Sequence, residues 1–185
     1  MGGAPKALLR LPSGETFLAR LVRHFRAVGA ADVVVVTGHE ADRVAEEALR
    51  CGARPVHNPS YADGQFSSLC AGLDATPTGD LDALWLALVD APGCSVATLR
   101  ALAATFETTR APVVRAVDGT AHGHPVLLSA ALLPALRAAD PSEGAKPIVR
   151  AYASAAGDVS VHDPAAFLDS DTPEAYARLC AFVVD

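Results

Sequence analysis

Asp32-Val33-Val34-Val35-Val36-Thr37-Gly38 is an unbroken β-branched run closed by a glycine. Branching at Cβ favours extended backbone, and the lack of an alternating polar position means that both faces of the strand are covered. A strand of that kind belongs to a parallel sheet. Upstream, Phe17, Leu18, Leu21, Val22, Phe25 and Val28 recur at helical spacing across residues 16–28, with Ser13 as candidate cap and Gly29 as stop. Downstream, residues 40–50 read as a second helix ended by Gly52, and residues 53–57 as a short strand. Helix and strand alternate at βαβ lengths.

The same alternation continues. A polar loop at 58–64 precedes a helix over 65–75, and Asp82-Ala83-Leu84-Trp85-Leu86-Ala87-Leu88-Val89 is the most apolar strand candidate, expected at the sheet centre and ending at Asp90-Ala91-Pro92. Ser95 caps a helix reaching 108, residues 112–117 are extended, and a turn over 118–124 leads into a further strand at 125–128. Helices over 130–138 and 143–155, a strand over 158–162 and a last helix from Pro173 complete the pattern. No repeat or long linker divides the 185 residues, so one domain spanning 1–185 is expected.

Composition narrows the partners. The chain is 51% hydrophobic, enough to cover both faces of a sheet, and its formal charge of -6 offers no diffuse attraction to nucleic acid or an anionic membrane. Any phosphate-bearing ligand must be small and met locally. The apolar stretches are too short to cross a bilayer, and Lys6 stands where a myristoylation signal needs Ser or Thr. Cys51, Cys70, Cys94 and Cys180 are widely spaced, with no C-x-x-C pair and no secretory signal, and read as reduced thiols of a cytoplasmic protein.

Ligands of open α/β sheets gather beyond the carboxyl ends of the strands. Four segments qualify there: Thr37-Gly38-His39; Asn58-Pro59 with Gly64 and Ser67-Ser68; Asp90-Ala91-Pro92; and Gly123-His124-Pro125. A carboxylate ending a strand as apolar as 84–89 is costly to bury unless a cation meets it, so Asp90 is either a divalent-metal ligand or a turn residue bonded to backbone N–H groups. Asp169 and Asp171 precede the last helix, where Asp171 or Thr172 serves as N-cap before Pro173; a cap leaves the other carboxylate free for metal. Oxygen ligands of this type suit Mg²⁺, which takes one or two protein carboxylates and completes its shell with water and phosphates. His122-Gly123-His124 lacks a third ligand at zinc spacing and reads as a substrate loop. Ser67 and Ser68 near His57 lack a nucleophile elbow and read as helix-start residues. Gly2 and Gly3 before Lys6 are either a segment whose N–H groups and ammonium hold a phosphate chain or, as the ordinary reading, a chain terminus with a stray Lys.

Taken in order, these pieces resemble the molybdenum cofactor cytidylyltransferases, MobA-like members of the Rossmann-like nucleotidyltransferases. The matching segments are Met1 to Leu9 (M-G-x-P-K-A-L-L with one extra residue), Val34 to His39, Asn58 to Ser68, Asp90 to Pro92, Gly123 to Leu127 and Asp169 to Glu174. The resemblance implies a three-layer α/β/α fold with a mostly parallel sheet, and transfer of CMP from CTP to a molybdopterin-type acceptor with release of pyrophosphate. It implies Lys6 as the group that neutralises the nucleotide phosphates, with Asp90 and Asp171 holding Mg²⁺. Gly2, Gly3, Thr37, Gly38, His39, Asn58, Gly64, Ser67, Ser68, Pro92, Gly123, His124 and Pro125 would line the nucleotide and pterin pockets. Pro5-Lys6 is more like the cytidylyl branch than the guanylyl branch. A molybdoenzyme or its chaperone is the partner implied for delivery; the alternatives are a binding or delivery protein without catalysis, and transfer to a sugar phosphate.

The departure is at the front. Family members carry a first β-strand and L-A-A-G-x-S-x-R before the M-G that here is Met1-Gly2, so a missing N-terminal segment is expected, with unpaired edges on the strands that flank its place in the sheet.

Overall fold

The computed structural model describes residues 5–76, 79 and 81–183. Helix α1 (Phe17–Ala27) leads into β1 (Val34–Thr37), α2 (Ala41–Arg50) and β2 (Arg54–His57), and then α3 (Gln65–Asp74), β3 (Ala83–Leu86) and α4 (Val96–Thr109). The second half runs β4 (Val113–Asp118), β5 (Ala121–His122), β6 (Val126–Ser129), α5 (Leu133–Arg137), α6 (Lys146–Tyr152), β7 (Asp158–Ser160) and α7 (Pro173–Phe182). Most elements start and stop within a few residues of the expected positions. The cap of α1 is a correction: Thr16, not Ser13, closes its first turn, its Oγ1 accepting from Ala19 N at 3.1 Å. The helix expected over 143–155 shortens to α6, which begins at Lys146 behind a turn centred on Asp140, whose carboxylate accepts from Ser142 N and Oγ.

The fold is α/β, with strands in two ladders. β1 and β2 pair in parallel, Val34 opposite Arg54 and Thr37 opposite His57. The other sheet has the order β3-β6-β4-β5, with β7 parallel to β4. β6 is antiparallel to both neighbours, which leaves β3 and β4 pointing the same way and makes the sheet mixed. Helices cover both faces of it. Leu127 of β6 packs with Leu102 and Phe106 of α4, whereas the adjacent Leu128 packs with Leu73 of α3 and Leu133 and Leu136 of α5. Successive strand residues point to opposite faces, so this alternation is the three-layer arrangement at the level of two side chains.

α1 bridges the ladders. Leu18 and Val22 pack with Val44 and Ala48 of α2, while Leu21 and Phe25 pack with Cys94, Leu99 and Ala166. Between the ladders lies a cleft of about 1950 Å³, lined by residues 33–36 of the β1 side and 81–89 of the β3 side. Among the described residues β1 bonds only β2, and β3 only β6. β3, expected at the sheet centre, therefore borders an opening, and all four of its residues are only half-buried. α1 walls the cleft with Leu18, Leu21, Val22 and Phe25, and α3 with Leu69 and Leu73. The free edges of β1 and β3 face the same space.

Candidate active site

Three side chains distant in sequence meet at one point. Lys6 Nζ donates to Asp90 Oδ2 at 2.9 Å and to Asp171 Oδ1. Each partner reaches the point by a different device. Lys6 lies in a single helical turn, Lys6–Leu8, set against α1 and α2. Asp90 follows the apolar stretch that begins with β3, in a turn closed by Ala91 N donating to Leu88 O at 3.2 Å. Since that turn closes through backbone, the Asp90 carboxylate is left to face a cation.

Asp171 reaches the site because its neighbours take the local roles. Thr172 is the N-cap of α7, accepting from Ala175 N at 3.1 Å, and Asp169 accepts from Asp171 N at 3.4 Å. Capping by the hydroxyl leaves the Asp171 carboxylate for Lys6. Burial alone would lower the Lys6 pKa, but hydrogen bonds and charge attraction from Asp171 and Asp90 outweigh it and raise the pKa above 10.5. The ammonium is thus held charged.

The turn after Val89 is gripped from behind by α1. Arg20 is buried, and its Nε donates to Pro92 O at 3.2 Å; one helical turn later His24 Nδ1 donates to Cys94 O at 2.9 Å. Burial, then the positive charge of Arg20, lowers the His24 pKa, so the ring is neutral with its proton on the nitrogen that faces the carbonyl. Sequence reasoning missed both residues. Their signal was two polar side chains at i and i+4 on a helix that otherwise reads as an apolar stripe.

Gly123-His124-Pro125 packs on the segment before Asp171. His124 N donates to Ala166 O at 3.0 Å, and a Cβ at Gly123 would stand 2.9 Å from that same carbonyl, so only glycine allows the approach. His124 Nδ1 is buried without a partner, and so is Ser170 Oγ, between Asp169 and Asp171. They are the buried side-chain atoms left unbonded among the described residues, and each lies in a segment already nominated for the site. Burial lowers the His124 pKa against the pull of the Asp90 charge, which favours the neutral ring.

The other nominated segments gather at the end of β1. Thr37 is buried, and Gly38 admits the Tyr61 side chain where a Cβ would overlap it. His39 is exposed beside Tyr61, with ring centroids 6.5 Å apart. Asn58 is buried, its Nδ2 donating to Ser67 Oγ at 2.9 Å and Ser68 Oγ at 3.1 Å while its Oδ1 accepts from Ser60 N at 2.9 Å. Ser67 Oγ in turn donates to Ser60 O and Gly64 O. Asn58 and Ser67 therefore fasten the 58–64 loop to the start of α3, shaping a wall. Gly64, at φ 104, and Ser68 line the same cleft as Gly123 and His124. Pro92 is buried, and its carbonyl is the group that Arg20 holds beside the turn carrying Asp90. Gly2 and Gly3 lie outside the described residues.

Among the described residues no three His, Cys, Asp or Glu groups gather as metal ligands. The Asp90 and Asp171 pair does fit a hard divalent cation, because both carboxylates already converge on one cation, the Lys6 ammonium. Two carboxylates leave most of the coordination shell for water and phosphate oxygens.

Residues 1–157 match the family model for the MobA-like NTP transferase domain. The chain belongs to the MobA-like NTP transferase family. It is 30% identical to nicotine blue oxidoreductase of Paenarthrobacter nicotinovorans across 97% of this chain and 89% of that one. A nucleotidyl transferase from Methanothermobacter superposes with a TM-score of 0.77 at 25% identity, covering 95% of this chain and 83% of the other. A Mycobacterium tuberculosis protein in complex with manganese gives 0.72 at 24% identity, covering 97% and 93%, and shares the fold. Membership in the MobA-like family supports transferase chemistry. No helix among the described residues is long and apolar enough to cross a membrane.

Proposed function

We propose that this protein is a divalent-cation-dependent nucleotidyltransferase that moves CMP from CTP to the phosphate of a molybdopterin-type cofactor. An acceptor phosphate oxygen attacks the α-phosphorus of CTP, the bond from that phosphorus to the bridging oxygen of the β-phosphate breaks, and pyrophosphate leaves. No protein nucleophile is required. The observation that carries this reading is the convergence of Asp90 and Asp171 on one cation at the end of the β3 segment.

Asp90 and Asp171 are assigned to a hard divalent cation, Mg²⁺ in the cell, which when bound supplies positive charge to the triphosphate. Lys6, joined by the N–H groups of Gly2 and Gly3, neutralises the phosphates, favouring the state in which charge builds on the leaving pyrophosphate. Neutral His124 offers Nδ1 to a phosphate-bound water or an acceptor hydroxyl without repelling the cation. Thr37, Gly38, His39, Gly64, Ser68, Gly123 and Pro125 form the nucleotide and pterin walls, with Asn58, Ser67 and Pro92 holding those walls in place. We assign the protein to the cytoplasm as a single domain over residues 1–185, handing product to a molybdoenzyme or its chaperone.

The relative named an oxidoreductase warns that the family fold does not fix the reaction. The test is pyrophosphate release from CTP and molybdopterin with Mg²⁺, comparing this chain, a version carrying the coding sequence upstream of Met1, and Asp90→Ala. Release in either unsubstituted form, abolished by Asp90→Ala, supports transfer. Silence with CTP, GTP and a sugar phosphate acceptor alike would move the reading to a non-catalytic binding or delivery role.

A further inference from the structure

The two carboxylates assigned to the cation belong to segments that meet a few residues away, Gly93 against Ala165 and Ser95 N donating to Asp163 Oδ2 at 2.9 Å, while at the carboxylates themselves the bridging group is Lys6. Asp171 follows a turn ahead of α7 and is well exposed, its side chain 61% accessible, while Asp90 ends the β3 segment and is 25% accessible. Like charges brought together repel, and an exposed aspartate has no reason to stay beside another unless something positive lies between them. Lys6 Nζ is that positive group, bonded to both. Yet the same ammonium is the group assigned to the nucleotide phosphates, and it cannot serve both partners from one position.

We propose that Lys6 is a built-in occupant of the cation position, holding Asp171 against Asp90 until a divalent cation displaces it and frees its ammonium for the triphosphate. This rests on the cation reading of the Asp90 and Asp171 pair. Lys6 is then a positioning residue in the empty site and a phosphate ligand in the filled one, and cation and nucleotide arrive as coupled events. Without nucleotide the cation must compete with Lys6. With nucleotide present, the released ammonium gains a new anionic partner and the competition disappears. Two neighbouring features agree with a site that changes occupants: Ser170 Oγ, beside Asp171, and His124 Nδ1 are both buried and unbonded while Lys6 holds the carboxylates.

The test is a Mn²⁺ titration of the full chain, followed by calorimetry or by the loss of free Mn²⁺ signal in electron paramagnetic resonance, with and without CTP. Lys6→Met is compared with wild type and with Arg10→Met, which removes the same charge from an exposed side chain that bonds Gly14 O rather than the carboxylates. Without CTP, Lys6→Met is expected to bind Mn²⁺ about tenfold more tightly than wild type, and Arg10→Met within about twofold of it. With CTP the advantage of Lys6→Met should vanish or reverse. Equal Mn²⁺ affinity in Lys6→Met and wild type, or an equal gain in Arg10→Met, would overturn the proposal. So would an advantage of the same size with and without CTP. Absence of Mn²⁺ binding in all three proteins would overturn it together with the cation reading, whereas Mn²⁺ binding that follows the expected pattern without pyrophosphate release would leave it standing and remove only the transfer reading.

Discussion

Asp90 Oδ2 stands 2.9 Å from Lys6 Nζ although 84 residues separate the two in sequence. The contact ties the turn after Val89 to the first turn of the described chain. It sets a carboxylate against an ammonium at the place where the proposed transfer calls for a cation.

Asp90→Asn preserves size and removes the charge. Loss of one preorganised electrostatic group costs about 10²–10³ in turnover, so pyrophosphate release should fall by about that factor. The pair is partly exposed and its contribution to stability is screened, so the urea midpoint should stay near that of wild type. A variant that keeps more than half of its activity would remove Asp90 from the chemistry.

Arg20→Ala deletes the buried group that holds the Pro92 carbonyl. A charge-assisted hydrogen bond of this kind is worth about 1.5–3 kcal/mol, and the destabilisation should fall in that range by urea unfolding. Because Arg20 acts on the turn that carries Asp90 rather than on substrate, kcat should drop more than KM rises. A variant as stable as wild type would show that the turn holds itself.

Mild acid should weaken the fold through two buried histidines. His24 and His124 both have pKa values lowered by burial below 6.5, so the unfolded chain binds more protons than the folded one in the window from about pH 6.5 downwards. Stability is complete above that window and declines as the pH falls through the folded pKa values. Lys6 works in the opposite direction at the alkaline end, its contribution being present below 10.5 and lost as the pH rises through its elevated value. Urea midpoints measured between pH 8 and pH 5 should decline, and His24→Asn should flatten the slope; a midpoint constant over that range contradicts the assignment.

Asn58→Ala leaves Ser67 Oγ, Ser68 Oγ and Ser60 N short of the partner that the amide provides. A loss of about 2–4 kcal/mol is expected from the broken bonds and the buried groups left behind. Hydrogen exchange should quicken across residues 58–64. Exchange unchanged there would place the stability of the loop elsewhere.

The sequence was most legible where one physical signal dominated. The valines at 33–36 read as a strand covered on both faces; the strand forms and pairs in parallel, but it lines the cleft and its valines stay half-buried, whereas the apolar spacing of Phe17 through Phe25 gives a helix where expected. Lys6, Asp90 and Asp171 were each visible as polar residues at element ends. Their meeting was not, because contact across 84 and 165 residues depends on how the turns pack. Residues whose work is to bond backbone were harder still. Arg20 and His24 look like ordinary helix residues until the carbonyls of Pro92 and Cys94 appear opposite them, and the bonds of the Asn58 amide to two serines were not visible in the sequence that nominated it. The cap of α1 went to Thr16 because its hydroxyl, unlike that of Ser13, stands three residues before a free N–H.

The cleft between β1 and β3 gives the Lys6 contact a mechanical meaning. Among the described residues no ladder joins the two sheets, and what holds them in register is the packing of α1 and α3 together with polar ties such as Lys6 with Asp90. Breaking the Lys6 tie, by a cation or by substitution, should loosen the contact of the Asp90 turn with the start of the described chain. Occupancy of the site and the packing of the two sheets then become a single observable, readable as amide protection at Val35 and Trp85, which line the cleft between them.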